Sequence, residues 1–153
     1  MNEMQWDLSQ LVESTDPAYI VDRLEKMVAD AGALNERYKG KIEGLDAAGL
    51  FKLLESRDEF SLKYEGAAMF CNLRYSANST DPVAQQLNDA MRRAGVRAGQ
   101  KLAFMDLELG KLLAARPELV QAPELEEFRH LLERIVRRVP HQLSEVGEQL
   151  VMT

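Results

Sequence analysis

Two Asp-Pro pairs, each followed by a long run of apolar residues at helical spacing, constrain most strongly how this chain can fold. Asp16 can cap a helix that Pro17 begins, because the first helical N–H has no partner and proline lacks it. Asp81-Pro82 repeats the same signal. The sequence therefore predicts one helix from about Asp16 to Tyr38 and another from about Pro82 to Ala115.

The segment between these two helices predicts further helical structure. A connector from Lys39 to Asp46 contains two glycines and ends on an aspartate that can cap a helix beginning near Ala47. Apolar residues then continue as far as Tyr75, and their spacing fits either one bent helix or two. The turn-forming composition of residues 78–82 ends this stretch.

Prolines divide the last part of the chain. Pro117 and Pro123 bracket a short connector, and the helix that follows is expected to end at Pro140. Ser144 can then cap a final helix. Only two turns of that helix would fit before Thr153, so we expect the chain to be excised from a longer protein.

No strand-like alternation, internal repeat or hairpin turn signal is present in the sequence. The prediction is an all-α array of five or six helices, including one or two long antiparallel helices. Residues 1–153 are expected to form a single domain, which would bury about two-thirds of its unfolded surface. An unbroken helix from Asp81 to Ala114 would be about 50 Å long, whereas a compact domain of this size is about 38 Å across. We therefore expect a bend at a glycine or a helix that projects beyond its core.

Charge and cysteine usage disfavour several classes of protein. Nineteen basic and 25 acidic residues give a formal net charge of −6, which opposes non-specific nucleic-acid binding. The single cysteine, Cys71, lies in an apolar stretch, so we expect a buried, unreactive thiol and a reducing cytoplasmic location. No run of about 18 uncharged apolar residues is present, and a membrane-spanning role is not expected.

Motifs that would carry chemistry are missing. The two histidines, His130 and His141, are separated by Pro140 and do not form the H-E-x-x-H motif that places two zinc ligands one helical turn apart. One Glu-x-x-His pattern joins Glu127 to His130, but di-iron helical bundles need a second such pattern. No phosphate-binding glycine loop or serine nucleophile elbow is present either. We therefore predict no catalytic and no metal-binding residue in this chain.

A small-residue pattern occurs within the helix predicted after Pro82. Gly95 and Gly99 are four residues apart, and Ala94 and Ala98 precede them. Small side chains let helix backbones approach closely. We expect this face to pack against another helix.

Basic residues gather near the end of this acidic chain, at Arg129, His130, Arg134, Arg137, Arg138 and His141. One interpretation is a contact for carboxylates, either of a peptide substrate or of an adjoining domain. In the other interpretation, Arg137 and Arg138 complement the helix dipole in the last turn before Pro140, and Arg134 pairs with an acidic residue of an adjacent helix. Charged helix ends are common, which favours the second interpretation.

Several segments, taken in order, resemble the N-terminal region of the oligoendopeptidase F family of zinc metallopeptidases. The most specific is the pattern that runs from Arg129-His130 to Leu143-Ser144-Glu145 within the segment Phe128–Glu148. The other segments are Trp6-Asp7-Leu8-Ser9, Tyr38-Lys39-Gly40-Lys41-Ile42, Asp81-Pro82 and Phe104-Met105-Asp106-Leu107-Glu108-Leu109.

The resemblance implies that this chain is the non-catalytic N-terminal domain of a zinc metalloendopeptidase that cuts oligopeptides. In that family the region looks like part of a helical wall around a deep channel, which limits substrates to short peptides. The implied partners are the catalytic domain, which would hold the zinc, and the oligopeptide substrate. The alternative is a stand-alone helical protein-interaction module without enzymatic activity. Both interpretations predict an uncovered apolar face, through which the isolated chain would self-associate.

Overall fold

A computed structural model describes the backbone of residues 8–152 and the side chains of residues 8–140. The chain forms four α-helices, which are α1 (Pro17–Tyr38), α2 (Ala47–Ala77), α3 (Pro82–Ala115) and α4 (Arg129–Met152). Shorter 3-10 helices lie at Leu8–Leu11, Ile42–Gly44, Pro117–Gln121 and Pro123–Phe128. Residues 8–152 contain no strand, so the all-α prediction is confirmed. The predicted number of helices was slightly too high, and Trp6-Asp7 lies outside the described residues.

Side-chain caps begin the first three helices, as predicted. The Ala18 N–H donates to the Asp16 carboxylate at 3.1 Å, and the Val83 N–H donates to the Asp81 carboxylate at 3.0 Å. At the start of α2, the Gly49 N–H donates to Asp46 at 2.8 Å. Each aspartate satisfies an N–H group that would have no partner inside its helix. Because these hydrogen bonds join residues two or three positions apart, the sequence predicted the first residue of each of the three helices to within one or two positions.

The predicted break at Pro140 is wrong. The helix α4 runs from Arg129 to Met152 with Pro140 inside it, so the chain has one helix where we expected two. Proline removes one helical hydrogen bond and disfavours the helix interior, but its fixed φ is itself helical, and a helix can continue through it with a kink. The predicted cap at Ser144 falls within α4, where the structure does not describe side chains.

The described chain divides into two compact units. Within the described residues, unit 1 consists of residues 8–33 and 58–101, and unit 2 consists of residues 34–57 and 102–152. Each of α1, α2 and α3 contributes residues to both units. Such a division does not measure independent folding, so the single domain stays a prediction. The undecided stretch after Ala47 proves to be one helix of 31 residues.

Unit 2 has a core of aliphatic and aromatic side chains. Phe51 and Phe128 meet edge to face, with ring centroids 5.7 Å apart. Gly40 follows α1 with a φ of 79°, a conformation that favours glycine, and its N–H donates to the Glu108 carboxylate at 3.0 Å. The buried residues of this core are Tyr38, Ile42, Leu50, Leu53, Leu54, Phe104, Met105, Leu109, Leu112, Leu113, Leu119, Val120, Leu125, Phe128, Leu132 and Ile135.

Unit 1 buries smaller side chains and contains one very close backbone approach. A Cβ atom added at Gly66 on α2 would overlap the carbonyl oxygen of Leu11, which ends the first 3-10 helix. Only glycine fits at this position without displacing that segment. The buried apolar residues of unit 1 are Ile20, Leu24, Met27, Val28, Ala31, Tyr64, Ala67, Phe70, Cys71, Ala84, Leu87, Ala94 and Ala98.

The predicted small-residue face of α3 is only half correct. Ala94 and Ala98 are buried, whereas Gly95 and Gly99 are exposed and have open space around the position of a Cβ atom. No helix among the described residues approaches these two glycines. A helix turns by about 100° per residue, which separates each alanine from the glycine that follows it.

Substituting alanine for glycine should have opposite effects at two positions of unit 1. We expect Gly66→Ala to lower the free energy of unfolding by about 1–3 kcal/mol, because the new methyl group collides with backbone. Gly99→Ala is the matched control and should raise it by about 0.5–1 kcal/mol, because alanine is the better helix former. Urea unfolding monitored by circular dichroism measures both. Equal changes in the free energy of unfolding for the two variants would contradict the close approach of the Leu11 carbonyl oxygen to Gly66.

Candidate functional site

The buried side of α4 fixes which of its residues face solvent. Leu132 and Ile135 lie in the core of unit 2, together with Phe128 just before the helix. These residues recur at spacings of three and four, so they share one face of the helix. The opposite side of α4 is therefore presented to solvent, and most of the predicted basic residues lie there.

Arg129 does not belong to this exposed side. Its side chain is half-buried, and its Nε donates a hydrogen bond to the carbonyl oxygen of Val120 at 3.2 Å. Val120 lies in the 3-10 helix Pro117–Gln121, so this contact joins the start of α4 to the preceding segment. Arg129 thus stabilises the local fold of unit 2.

His130 begins the exposed side. Its side chain is 99% exposed, and its Nδ1 lies 3.8 Å from a carboxylate oxygen of Glu133 one turn later. Glu127 belongs to the 3-10 helix Pro123–Phe128 and not to α4. The acidic neighbour of His130 on the surface of α4 is Glu133.

Arg134, Arg137 and Arg138 are exposed and have no ion-pair partner among the described side chains. We call these three arginines and His130 the cationic face. They are spaced by three or four residues, except for the adjacent pair Arg137 and Arg138, and lie along one side of α4. The sixth predicted residue, His141, is in the same helix, but its side chain is outside the described residues.

The interpretation that we favoured for these arginines does not hold. Because α4 continues to Met152, Arg137 and Arg138 lie in its interior and not in its last turn. The helix dipole acts within the first or last turn only, so it does not explain them. The partner expected for Arg134 on an adjacent helix is also absent from residues 8–140.

A polar cluster in unit 1 was not predicted from the sequence. Asp30 of α1 accepts hydrogen bonds from the Tyr64 hydroxyl and, at 3.0 Å, from Lys63 Nζ. The Arg23 guanidinium lies 5.1 Å from the centre of the Tyr64 ring and donates to the Lys63 carbonyl oxygen at 3.0 Å. The pKa of Asp30 is lowered, mainly by the hydrogen bond from Tyr64. Burial raises the pKa of Tyr64. The cluster joins α1 to α2 by contacts between residues more than thirty positions apart, which no local pattern reveals.

Unit 1 also contains a buried cysteine on α2 and a depression on α3. Cys71 is fully buried, as predicted, and burial raises the pKa of its thiol to about 11. A depression on α3 is lined by Asp89, Arg92, Arg93, Val96 and Arg97, all of one helix, and it is open to solvent. Arg97 already pairs with Glu25 at 3.0 Å. Neither feature has the arrangement of an enclosed catalytic site.

The described part of the chain has no metal-binding cluster and no helix that could span a membrane. Its His, Cys, Asp and Glu side chains form no group of three or more that could hold a metal ion. None of its helices combines the length and the apolar character needed to cross a membrane.

Residues 111–153 match the N-terminal family model described as Oligopeptidase F. This segment covers the end of α3, two 3-10 helices and α4. The predicted resemblance to the N-terminal region of this family is confirmed there. No curated protein and no solved structure matches the chain.

Removing the Tyr64 hydroxyl should move the pKa of Asp30 back towards its ordinary value of 3.8. A lowered pKa in the folded state adds stability that is present above the unfolded pKa and lost as pH falls through the folded pKa. We therefore expect Tyr64→Phe to lose less stability on acidification below about pH 4 than the unchanged chain does. Carboxyl NMR titration reads the pKa directly. Tyr19→Phe is the control and should leave the pKa of Asp30 unchanged.

The Cys71 thiol should react very slowly with thiol reagents in the folded chain. A pKa of about 11 in place of 9.0 lowers the thiolate fraction near pH 8 by about 100-fold, and burial adds steric protection. Ser61→Cys places an exposed thiol on the same helix as an internal control. In this variant we expect thiol modification to show a fast phase from the introduced cysteine and a slow phase from Cys71. Two fast phases under folding conditions would contradict the burial of Cys71.

Proposed function

We propose that this chain is the non-catalytic N-terminal domain of an oligoendopeptidase F-like zinc metalloendopeptidase. In this role it helps form the substrate channel and limits substrates to short peptides. The observation that carries the proposal is the match of residues 111–153 to the Oligopeptidase F family model. The matched segment includes α4, on which Arg134, Arg137 and Arg138 are exposed.

The packing of unit 2 suits a structural role of this kind. A channel wall must keep its shape while substrates enter, and a dense aliphatic and aromatic core gives such rigidity. The helix α4 is held by Leu132 and Ile135 on one side and has exposed polar residues on the other. One side of the helix is thus anchored, and the other remains available for a peptide or an adjoining domain.

The chemistry of the proposed enzyme would reside in its catalytic domain. Zinc with an H-E-x-x-H motif would activate a water molecule for peptide hydrolysis. No residue of this chain is assigned to that step. The single buried cysteine supports the further proposal of a reducing cytoplasmic location.

A stand-alone interaction module is the second candidate. Leu62 and Met69 are seven residues apart on α2, and 72% and 43% of their surfaces are exposed. Residues at this spacing share one side of a helix. Apolar side chains exposed in this way favour a partner protein or self-association.

The proposal is tested with a peptidase of this family from which the N-terminal helical region has been deleted. The purified chain alone, supplied with zinc, should cleave no fluorogenic peptide. Added to the truncated peptidase, it should raise the ratio of short-peptide to long-peptide cleavage. Leu132→Asp is the control, because a charge in the unit 2 core disrupts the packing of α4.

Two results would contradict the proposal. Zinc-dependent cleavage by the chain alone would show that it is catalytic. An unchanged ratio of short-peptide to long-peptide cleavage, with the chain folded and present in excess, would remove the channel role. A change produced equally by Leu132→Asp would mean that the effect does not require folded α4.

A further inference from the structure

The cationic face of α4 has more positive charge than its surroundings neutralise. Between His130 and Gln142 the sequence contains a single acidic residue, Glu133, and this carboxylate lies beside His130. No acidic residue occurs within four positions of Arg138 on either side. Ion pairs within a helix form at spacings of three or four residues. The helix therefore offers Arg134 and Arg138 no carboxylate at this spacing, and Glu133, four residues before Arg137, lies beside His130.

Elsewhere in the described chain, several exposed arginines and lysines do have acidic partners. Arg97 pairs with Glu25 at 3.0 Å, and Lys63 pairs with Asp30 at the same distance. Lys26 pairs with Asp22 within α1. Arg134, Arg137 and Arg138 have no such partner among the described side chains, and they lie side by side on one helix of a chain whose formal net charge is −6.

The dimensions of the cationic face indicate a ligand with several carboxylates. His130 and Arg138 are eight residues apart, which corresponds to about 12 Å along a helix. A single terminal carboxylate of a peptide reaches only one or two of these side chains. An acidic helix or extended segment places carboxylates about 6 Å apart, so that it can contact the whole row. Arginine suits this role because its guanidinium binds carboxylates through two parallel hydrogen bonds.

A long nucleic acid fits this face less well. Electrostatic attraction extends only about 8 Å at physiological ionic strength, so a short acidic segment would interact mainly with the cationic face. A long polyanion would extend over the acidic remainder of the chain. The described residues of the face also include no Phe, Tyr or Trp side chain on which a base could stack.

We propose that the cationic face of α4, formed by His130, Arg134, Arg137 and Arg138, docks an acidic segment of another polypeptide. In the proposed enzyme, the catalytic domain would carry that segment, and in this respect the proposal rests on the proposed function. The docking itself does not require peptidase activity. Its test is a direct binding measurement, so a failed channel assay and a failed docking assay are distinguishable results.

The test uses the full chain and a fluorescein-labelled, Glu-rich helical peptide, with binding followed by fluorescence anisotropy. We expect saturable binding that weakens as salt is raised, because exposed charge pairs are screened. The triple variant Arg134→Glu, Arg137→Glu and Arg138→Glu should weaken binding by about tenfold or more. The corresponding triple change to Gln should weaken it less, and circular dichroism checks that both variants stay helical.

The matched control places the same charge changes elsewhere on the surface. Lys52, Arg92 and Arg93 are exposed and lie outside α4, and their change to Glu lowers the net charge by the same amount. Affinity within about twofold of the unchanged chain would support a defined docking face. Equal loss in both triple variants would overturn the proposal, because net charge alone would then explain binding. Absence of peptide binding to the folded chain at low salt would also overturn it.

A competition experiment decides the class of partner. We expect the unlabelled acidic peptide to displace the labelled one and a single-carboxylate peptide of equal length to fail. A single-stranded oligonucleotide of equal charge should compete at least tenfold less well than the acidic peptide, as expected if the face prefers carboxylates. Equal or stronger competition by the oligonucleotide would overturn the proposal in favour of nucleic-acid binding.

Discussion

The length of α3 is the constraint on which the rest of the structure depends. Its 34 residues extend about 50 Å along the helix axis. A long helix needs apolar burial along its length to persist in water. The part in unit 1 buries Ala84, Leu87, Ala94 and Ala98, and the part in unit 2 buries Phe104, Met105, Leu109, Leu112 and Leu113. Each unit thus buries its own part of α3.

Features decided by neighbouring residues could be predicted from the sequence. Asp16, Asp46 and Asp81 each accept a hydrogen bond from an N–H two or three residues later, so their caps were recognisable from local spacing. The continuation of α4 through Pro140 could not be predicted in this way. Proline disfavours the helix interior by about 3 kcal/mol, and packing elsewhere along a helix decides whether it ends there.

Proximity in the sequence proved a poor guide to the candidate site. Arg129 and His130 are neighbours in the chain, yet one is engaged with Val120 and the other is exposed, because a helix turns by about 100° per residue. The exposure of Arg134 and the others depends on which side of α4 faces the core, and that follows from Leu132 and Ile135. The partners of Asp30, and the pairing of Arg57 with Asp106 at 3.2 Å, join distant parts of the sequence. Such contacts become visible only in the folded chain.

The turn that follows α1 depends on a residue made much later in synthesis. Gly40 donates its N–H to Glu108, which lies 68 positions further along the chain. When Gly40 leaves the ribosome, Glu108 has not yet emerged, so this N–H has only water as a partner. Long-range contacts of this kind form late, because the intervening chain must first be brought into place. The pair α1 and α2 would therefore acquire its final connecting turn only after most of the chain has emerged.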